Sequence, residues 1–151
     1  MRINKLAVLI GFAIASALCL EVAAHADDAD ESTKLTFDKP VEIPGQILPA
    51  GTYLFKLADP DDLNLVRVFN AEGTRLYATL QTIATERREP TGNTVVIMAE
   101  QGAARPEALL KWFYPGRSTG NQFVYPRHED QQLAQDRQRT ILAKESAEAG
   151  D

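Results

Sequence analysis

Between positions 35 and 126 the chain is cut by proline and glycine into short runs of alternating apolar and polar residues, and this punctuation constrains its fold more than any other feature. Tyr53, Phe55 and Leu57 alternate with Thr52, Leu54 and Lys56, which puts three large apolar side chains on one face of a pleated strand. The runs 65–69 (LVRVF) and 75–83 (RLYATLQTI) follow the same period. In the second run Leu76, Ala78 and Leu80 share one face and Tyr77, Thr79, Gln81 and Ile83 the other. The run 94–98 (TVVIM) is apolar on both faces and reads as a central strand. Connections this short leave no room for crossover helices. The spacing therefore predicts an all-β fold, a small antiparallel β-sandwich or barrel.

The turns are more specific than the strands. Ile43-Pro44-Gly45-Gln46 sets proline second and glycine third, as a type II turn requires. Leu48-Pro49-Ala50-Gly51 suits a type I turn, and Asn70-Ala71-Glu72-Gly73 predicts a hairpin between the two runs it joins. Glu89-Pro90-Thr91-Gly92 makes another break. The stretch 105–112 (RPEALLKW) reads as a short helix opened by Pro106, with a strand through Leu109 to Tyr114 a close alternative. QFVY at 122–125 reads as the final strand. Beyond Pro126 proline is absent and helix formers dominate, which predicts a C-terminal α-helix from about His128 to Glu148. Its apolar stripe is thin: Leu133, Ala134, Ile141 and Leu142.

The first 26 residues have a different character. Arg2 and Lys5 precede an uncharged, largely apolar run from position 6 to 20, and Ala24-His25-Ala26 supplies the small-x-small pattern that a signal peptidase reads. Glu21 closes the run before it reaches the roughly 20 residues a membrane-spanning helix needs. Ser16-Ala17-Leu18 ahead of Cys19 is not a lipobox, and Arg87-Arg88 lie too deep in the chain for a twin-arginine signal. The domain plan is thus a secretory signal peptide at 1–26, a disordered acidic lead-in at 27–34 (DDADESTK), an antiparallel β domain at 35–126, and a helix and tail at 127–151. The expected location is the periplasm or the extracellular space, with no stable membrane insertion after cleavage.

Cleavage after Ala26 leaves 125 of the 151 residues and, by removing two of 16 basic and one of 21 acidic side chains, takes the formal net charge from -5 to -6. It also removes the single cysteine and one of the two histidines. A disulfide scaffold, thiolate zinc site, cysteine nucleophile or multi-histidine metal site is then excluded, and any catalytic triad would have to include His128. No cofactor is expected. A sequence pI near 5.1 argues against nucleic acid as a partner, since displacing counterions from phosphate takes a basic stripe.

A group of stretches goes further than composition. These are 41–45 (VEIPG), 48–53 (LPAGTY), Gly73-Thr74 with 76–79 (LYAT), 112–116 (WFYPG) and 123–126 (FVYP). Together they resemble a group of short, uncharacterised exported bacterial proteins over about positions 35–126. The resemblance implies export and a compact β domain, and carries no catalytic residues with it.

Candidate sites are few. The strongest lead is aromatic: Trp112, Phe113, Tyr114, Phe123 and Tyr125 fall within 14 residues. Of these Trp112, Tyr114, Phe123 and Tyr125 form a candidate binding surface for a sugar face or peptide, rimmed by the 117–121 loop (RSTGN). The bland alternative is core packing, because alternation sends Trp112 and Tyr114 to one side of a strand and Phe113 to the other. Asp59-Pro60-Asp61-Asp62 lacks calcium-loop spacing, with Asn64 where glycine belongs and Asn70 where glutamate belongs, and reads as a solvated turn. His128 reads as a solvated residue at the helix start. Two readings of function follow. The first is a non-catalytic binding or structural module of the cell envelope, whose partner is an envelope protein, peptide or glycan met through the aromatics or a sheet edge. The alternative is a small hydrolase using carboxylates such as Asp61, Glu86, Glu100 or Glu107.

Overall fold

The computed structural model of the protein describes residues 21–27, 32–59, 62–102, 104–142 and 144–145. Their strands, in chain order, are β1(Val22–Asp27), β2(Ser32–Phe37), β3(Val41–Ile43), β4(Gln46–Leu48), β5(Gly51–Asp59), β6(Asp62–Asn70), β7(Leu76–Glu86), β8(Val95–Glu100), β9(Glu107–Phe113) and β10(Thr119–Phe123). The helix α1(Arg127–Gln135) follows, then β11(Arg137–Leu142) and β12(Lys144–Glu145).

The turn chemistry acts as its residues require. Gly45 takes φ 86° between β3 and β4, a conformation glycine adopts at little cost. In the β6–β7 hairpin Gly73 takes φ 72°, and the Asn70 side chain accepts from the backbone N–H groups of Thr74 (2.8 Å) and Arg75 (2.9 Å). Tyr53, Phe55 and Leu57 are all buried on one face of β5, as their alternation predicts. The run at 94–98 yields β8, which is flanked on both sides by β9 and β11.

The ladders form one continuous mixed sheet in the order β11-β8-β9-β10-β7-β6-β5-β2-β1-β12, with the β3–β4 hairpin attached to β9. Pairings are antiparallel except β1–β12 and β3–β9, which are parallel. The sheet is not closed into a barrel; instead it folds over on itself. β5 and β9 lie four ladder steps apart, roughly 19 Å in a flat sheet at ~4.8 Å per step. Yet the rings of Phe55 and Trp112 are 6.3 Å apart, and those of Phe55 and Phe123 6.4 Å. β7 makes the corner. Its residues from Leu76 to Gln81 pair with β6, and those from Thr82 to Glu86 pair with β10. Inside the fold lie Leu35, Phe37, Phe55, Val66, Val68, Met98, Trp112 and Phe123, joined by Val22 and Ala24 of β1.

Several expectations are corrected. The stretch from Glu107 to Phe113 is strand rather than helix, with Arg105 and Pro106 outside it, and a bulge in the β8–β9 pairing between Ile97 and Met98 explains why its alternation is blurred. The strand expected at 122–125 is β10, from Thr119 to Phe123, paired with β9 and β7, and it is not the last, since β11 and β12 follow. The C-terminal helix ends at Gln135, not near Glu148: Asp136 turns extended (φ -74°, ψ 154°) and β11 pairs with β8 over six residues. The outer edge of β8 offers a ladder to pair with, and Ile141 packs against the core there, which outweighs helix propensity in a stretch with few apolar anchors. The lead-in at 27–34 is in part strand, since Asp27 belongs to β1 and Ser32, Thr33 and Lys34 to β2; positions 28–31 lie outside the described residues. The β structure thus extends beyond 35–126 at both ends. The apolar run at 6–20 also lies outside the described residues, and no helix among those described is long and apolar enough to cross a membrane.

Candidate functional site

The aromatic cluster comes together, but as core. Trp112 and Phe123 are each 2% exposed, and both face Phe55 across the folded sheet. Tyr125 is buried beside β9. Its hydroxyl donates to the carbonyl of Leu109 (2.7 Å) and lies 3.2 Å from that of Glu42, which ties β3 to β9. Burial pushes its phenol well above the usual tyrosine range, and the charges of Glu42 and Glu129 add to the shift, so it stays a neutral donor. Tyr114 is half-buried and packs against the same core. The proposed surface of Trp112, Tyr114, Phe123 and Tyr125 is therefore corrected. Alternation places Trp112 and Tyr114 on one side, and the fold of the sheet makes that side the inside. Among the described residues the indole N–H of Trp112 has no hydrogen-bond partner, and the ring packs as apolar bulk against Phe55. Packing is tight enough behind it that a Cβ on Gly120 would lie 2.6 Å from the Trp112 carbonyl oxygen.

The loop after Tyr114 is held rather than loose. Arg87 donates from Nε to the Arg117 carbonyl (2.7 Å) and from Nη2 to the Tyr114 carbonyl (3.2 Å), while its guanidinium lies 5.1 Å from the Phe113 ring centre. The backbone N–H of Gly116 reaches the carbonyl of Thr91 (2.8 Å). Burial lowers the Arg87 pKa from the ordinary arginine value. Sequence reasoning missed this residue because the carbonyls it holds come from a segment 27 to 30 positions away.

The carboxylates suggested for hydrolysis are scattered, with one exception. Asp61 lies outside the described residues and Glu86 is exposed at the end of β7. Glu100 and Glu107 do converge, from neighbouring strands, and what stands between them is Arg139. Its Nη2 is 2.9 Å from Glu107 and its Nε 3.8 Å from Glu100. Two carboxylates that share a guanidinium are a structural clamp for β11, which carries Arg139. The side chain of His128 is solvent-exposed, 3.7 Å from Glu129. Among the described residues no group of three or more metal-ligating side chains assembles.

The most suggestive geometry lies at the end of the sheet. β1 pairs antiparallel with β2 over six residues, from Val22 opposite Phe37 to Asp27 opposite Ser32. On its other side it pairs in parallel with β12, Ala23 opposite Lys144 and Ala24 opposite Glu145. Val22 and Ala24 point into the core and are 5% and 1% exposed. Three residues of this strand, Ala24-His25-Ala26, carry the small-x-small pattern read as a processing signal. No strand was legible there, because alanine is a poor strand former and the short run offers only one large apolar side chain. No protein-family model, no curated protein and no solved structure matches this chain.

Proposed function

We propose that the protein is an exported, non-catalytic β module of the cell envelope, periplasmic or extracellular, that binds a protein or peptide partner through the edge of its sheet. The observation that carries this reading is the position of the Ala26–Asp27 bond inside β1. Removal of the leader at that bond withdraws Val22 and Ala24 from the core and uncovers β2, whose inward side chains Leu35 and Phe37 are apolar. Export is supported by the charged start, the apolar run and the small-x-small site. Burial of Trp112, Phe123 and Tyr125 removes the stacking platform that a glycan partner would need, which favours main-chain recognition. The hydrolase reading loses its best carboxylate pair to Arg139.

The test is fractionation of cells that produce the full chain, with intact-mass measurement of the product. A product starting at Asp27 in the periplasm or medium is expected. A product in the cytoplasm, or one that retains positions 22–26, would overturn the reading.

A further inference from the structure

We infer that the space occupied by β1 is a strand-acceptor slot, and that its occupant in the mature protein is an extended partner peptide with small apolar side chains at two alternate positions. The inference rests on the reading that the leader is cut after Ala26.

The leader segment itself displays what the slot takes. A strand seated there runs antiparallel to β2 along six residues, and on its far side it can carry β12 in parallel, whose one pairing among the described residues is with β1 itself. Once β1 leaves, β2 becomes an open edge whose unpaired main-chain N–H and C=O groups are a template for another strand. Period-two alternation then fixes which peptide side chains turn inward: those at the places of Val22 and Ala24. Ala24 is 1% exposed, so its place admits a methyl group and little more; the Val22 place, 5% exposed, takes a branched aliphatic chain. Ala23, between them, is only half-buried and is not selected. The entry is marked by Asp38, whose side chain accepts from the backbone N–H of Glu21 (3.0 Å) while its own N–H donates to the Glu21 carbonyl (3.4 Å). The slot thus reads backbone direction, one small residue and one aliphatic residue two positions before it.

The geometry also orders the events of export. While β1 is paired, the Ala26–Asp27 bond lies within a ladder in which Ala26 faces Thr33 and Asp27 faces Ser32. A peptidase needs that segment extended and unpaired, so processing and strand pairing exclude each other, and only chains cut before β1 docks acquire an open slot.

The experiment uses the processed protein purified from the periplasm or medium, with its N-terminus read by intact mass, and a fluorescently labelled synthetic peptide EVAAHAD, equivalent to positions 21–27. Anisotropy titration is expected to show saturable one-to-one binding. Peptides carrying Ala24→Trp or Val22→Asp should bind at least about tenfold more weakly, the first by overfilling the site and the second by burying a charge, while Ala23→Thr should bind as the parent does. Circular dichroism with and without peptide covers the case of a processed chain that folds only when the slot is filled; folding induced by the parent peptide alone supports the proposal equally. Absent binding, binding indifferent to the Ala24 and Val22 changes, or a self-associated chain that refuses the peptide overturns it, the last by making a second copy the occupant. A mass that retains positions 22–26 sinks the cleavage reading instead, and so separates the two failures.

Discussion

In the β5–β6–β7 meander each strand pairs with its neighbour in sequence across a short turn, whereas β11 and β12 pair with strands made much earlier in the chain. The meander contributes Phe55, Val66, Val68 and Leu80 to the core; the ends of the sheet contribute Val22, Ala24 and the partly buried Ile141. Local pairing closes small loops at little entropic cost, and the β6–β7 hairpin is reinforced by Gly73 and the Asn70 side chain. Terminal pairing closes large loops, and the apolar side chains it buries are fewer and smaller. The two regions therefore differ in free energy of opening, with the meander near the global value and the ends well below it.

The largest expected effect tests the meander. Phe55→Ala, which empties the junction with Trp112 and Phe123, should cost about 3–5 kcal/mol in urea unfolding. A loss under about 1 kcal/mol would mean the folded sheet does not depend on this contact. Next comes Gly120→Ala, where the new methyl group meets Phe113 and the Trp112 carbonyl; about 1–3 kcal/mol should be lost, read from the same unfolding curves.

Tyr125 adds a pH signature. Its pKa is raised in the fold, so above the ordinary tyrosine value near pH 10 the unfolded chain binds fewer protons than the folded one, and stability falls as pH rises through that point. Below it the contribution is fully present. Tyr125→Phe should remove part of this alkaline fall while costing about 1–2 kcal/mol at neutral pH for the lost hydroxyl bond to Leu109. An unchanged alkaline profile in far-UV circular dichroism would count against the assignment. The smallest effect belongs to the edge: Ile141→Ala should cost about 1 kcal/mol and speed amide exchange in β11 without changing exchange in β6. If Ile141→Ala proved as costly as Phe55→Ala, the contrast between the two regions would be wrong.

The same contrast explains what the amino-acid sequence discloses. Tyr53, Phe55 and Leu57 announce their shared face, and Gly45 and Gly73 announce their turns, because period and turn chemistry are local. The strand at 107–113 is obscured by its bulge, and β11 by helix formers whose propensity yields to the open edge of β8. The side shared by Trp112 and Tyr114 was legible, but whether that side faces in or out depends on Phe55, more than 50 positions earlier. Arg87 and Arg139 are invisible for a similar reason, since each serves residues distant in the chain. The β1 slot was hidden beneath a second meaning of the same residues.

The corner strand β7 carries one more consequence, a kinetic one. It serves β6 through Gln81 and β10 from Thr82 onward, so a slip of one residue against either neighbour would turn the buried Leu80 and Thr82 outward against both. The two faces cannot settle their registers separately. They are expected to fold, and to unfold, in a single all-or-none step.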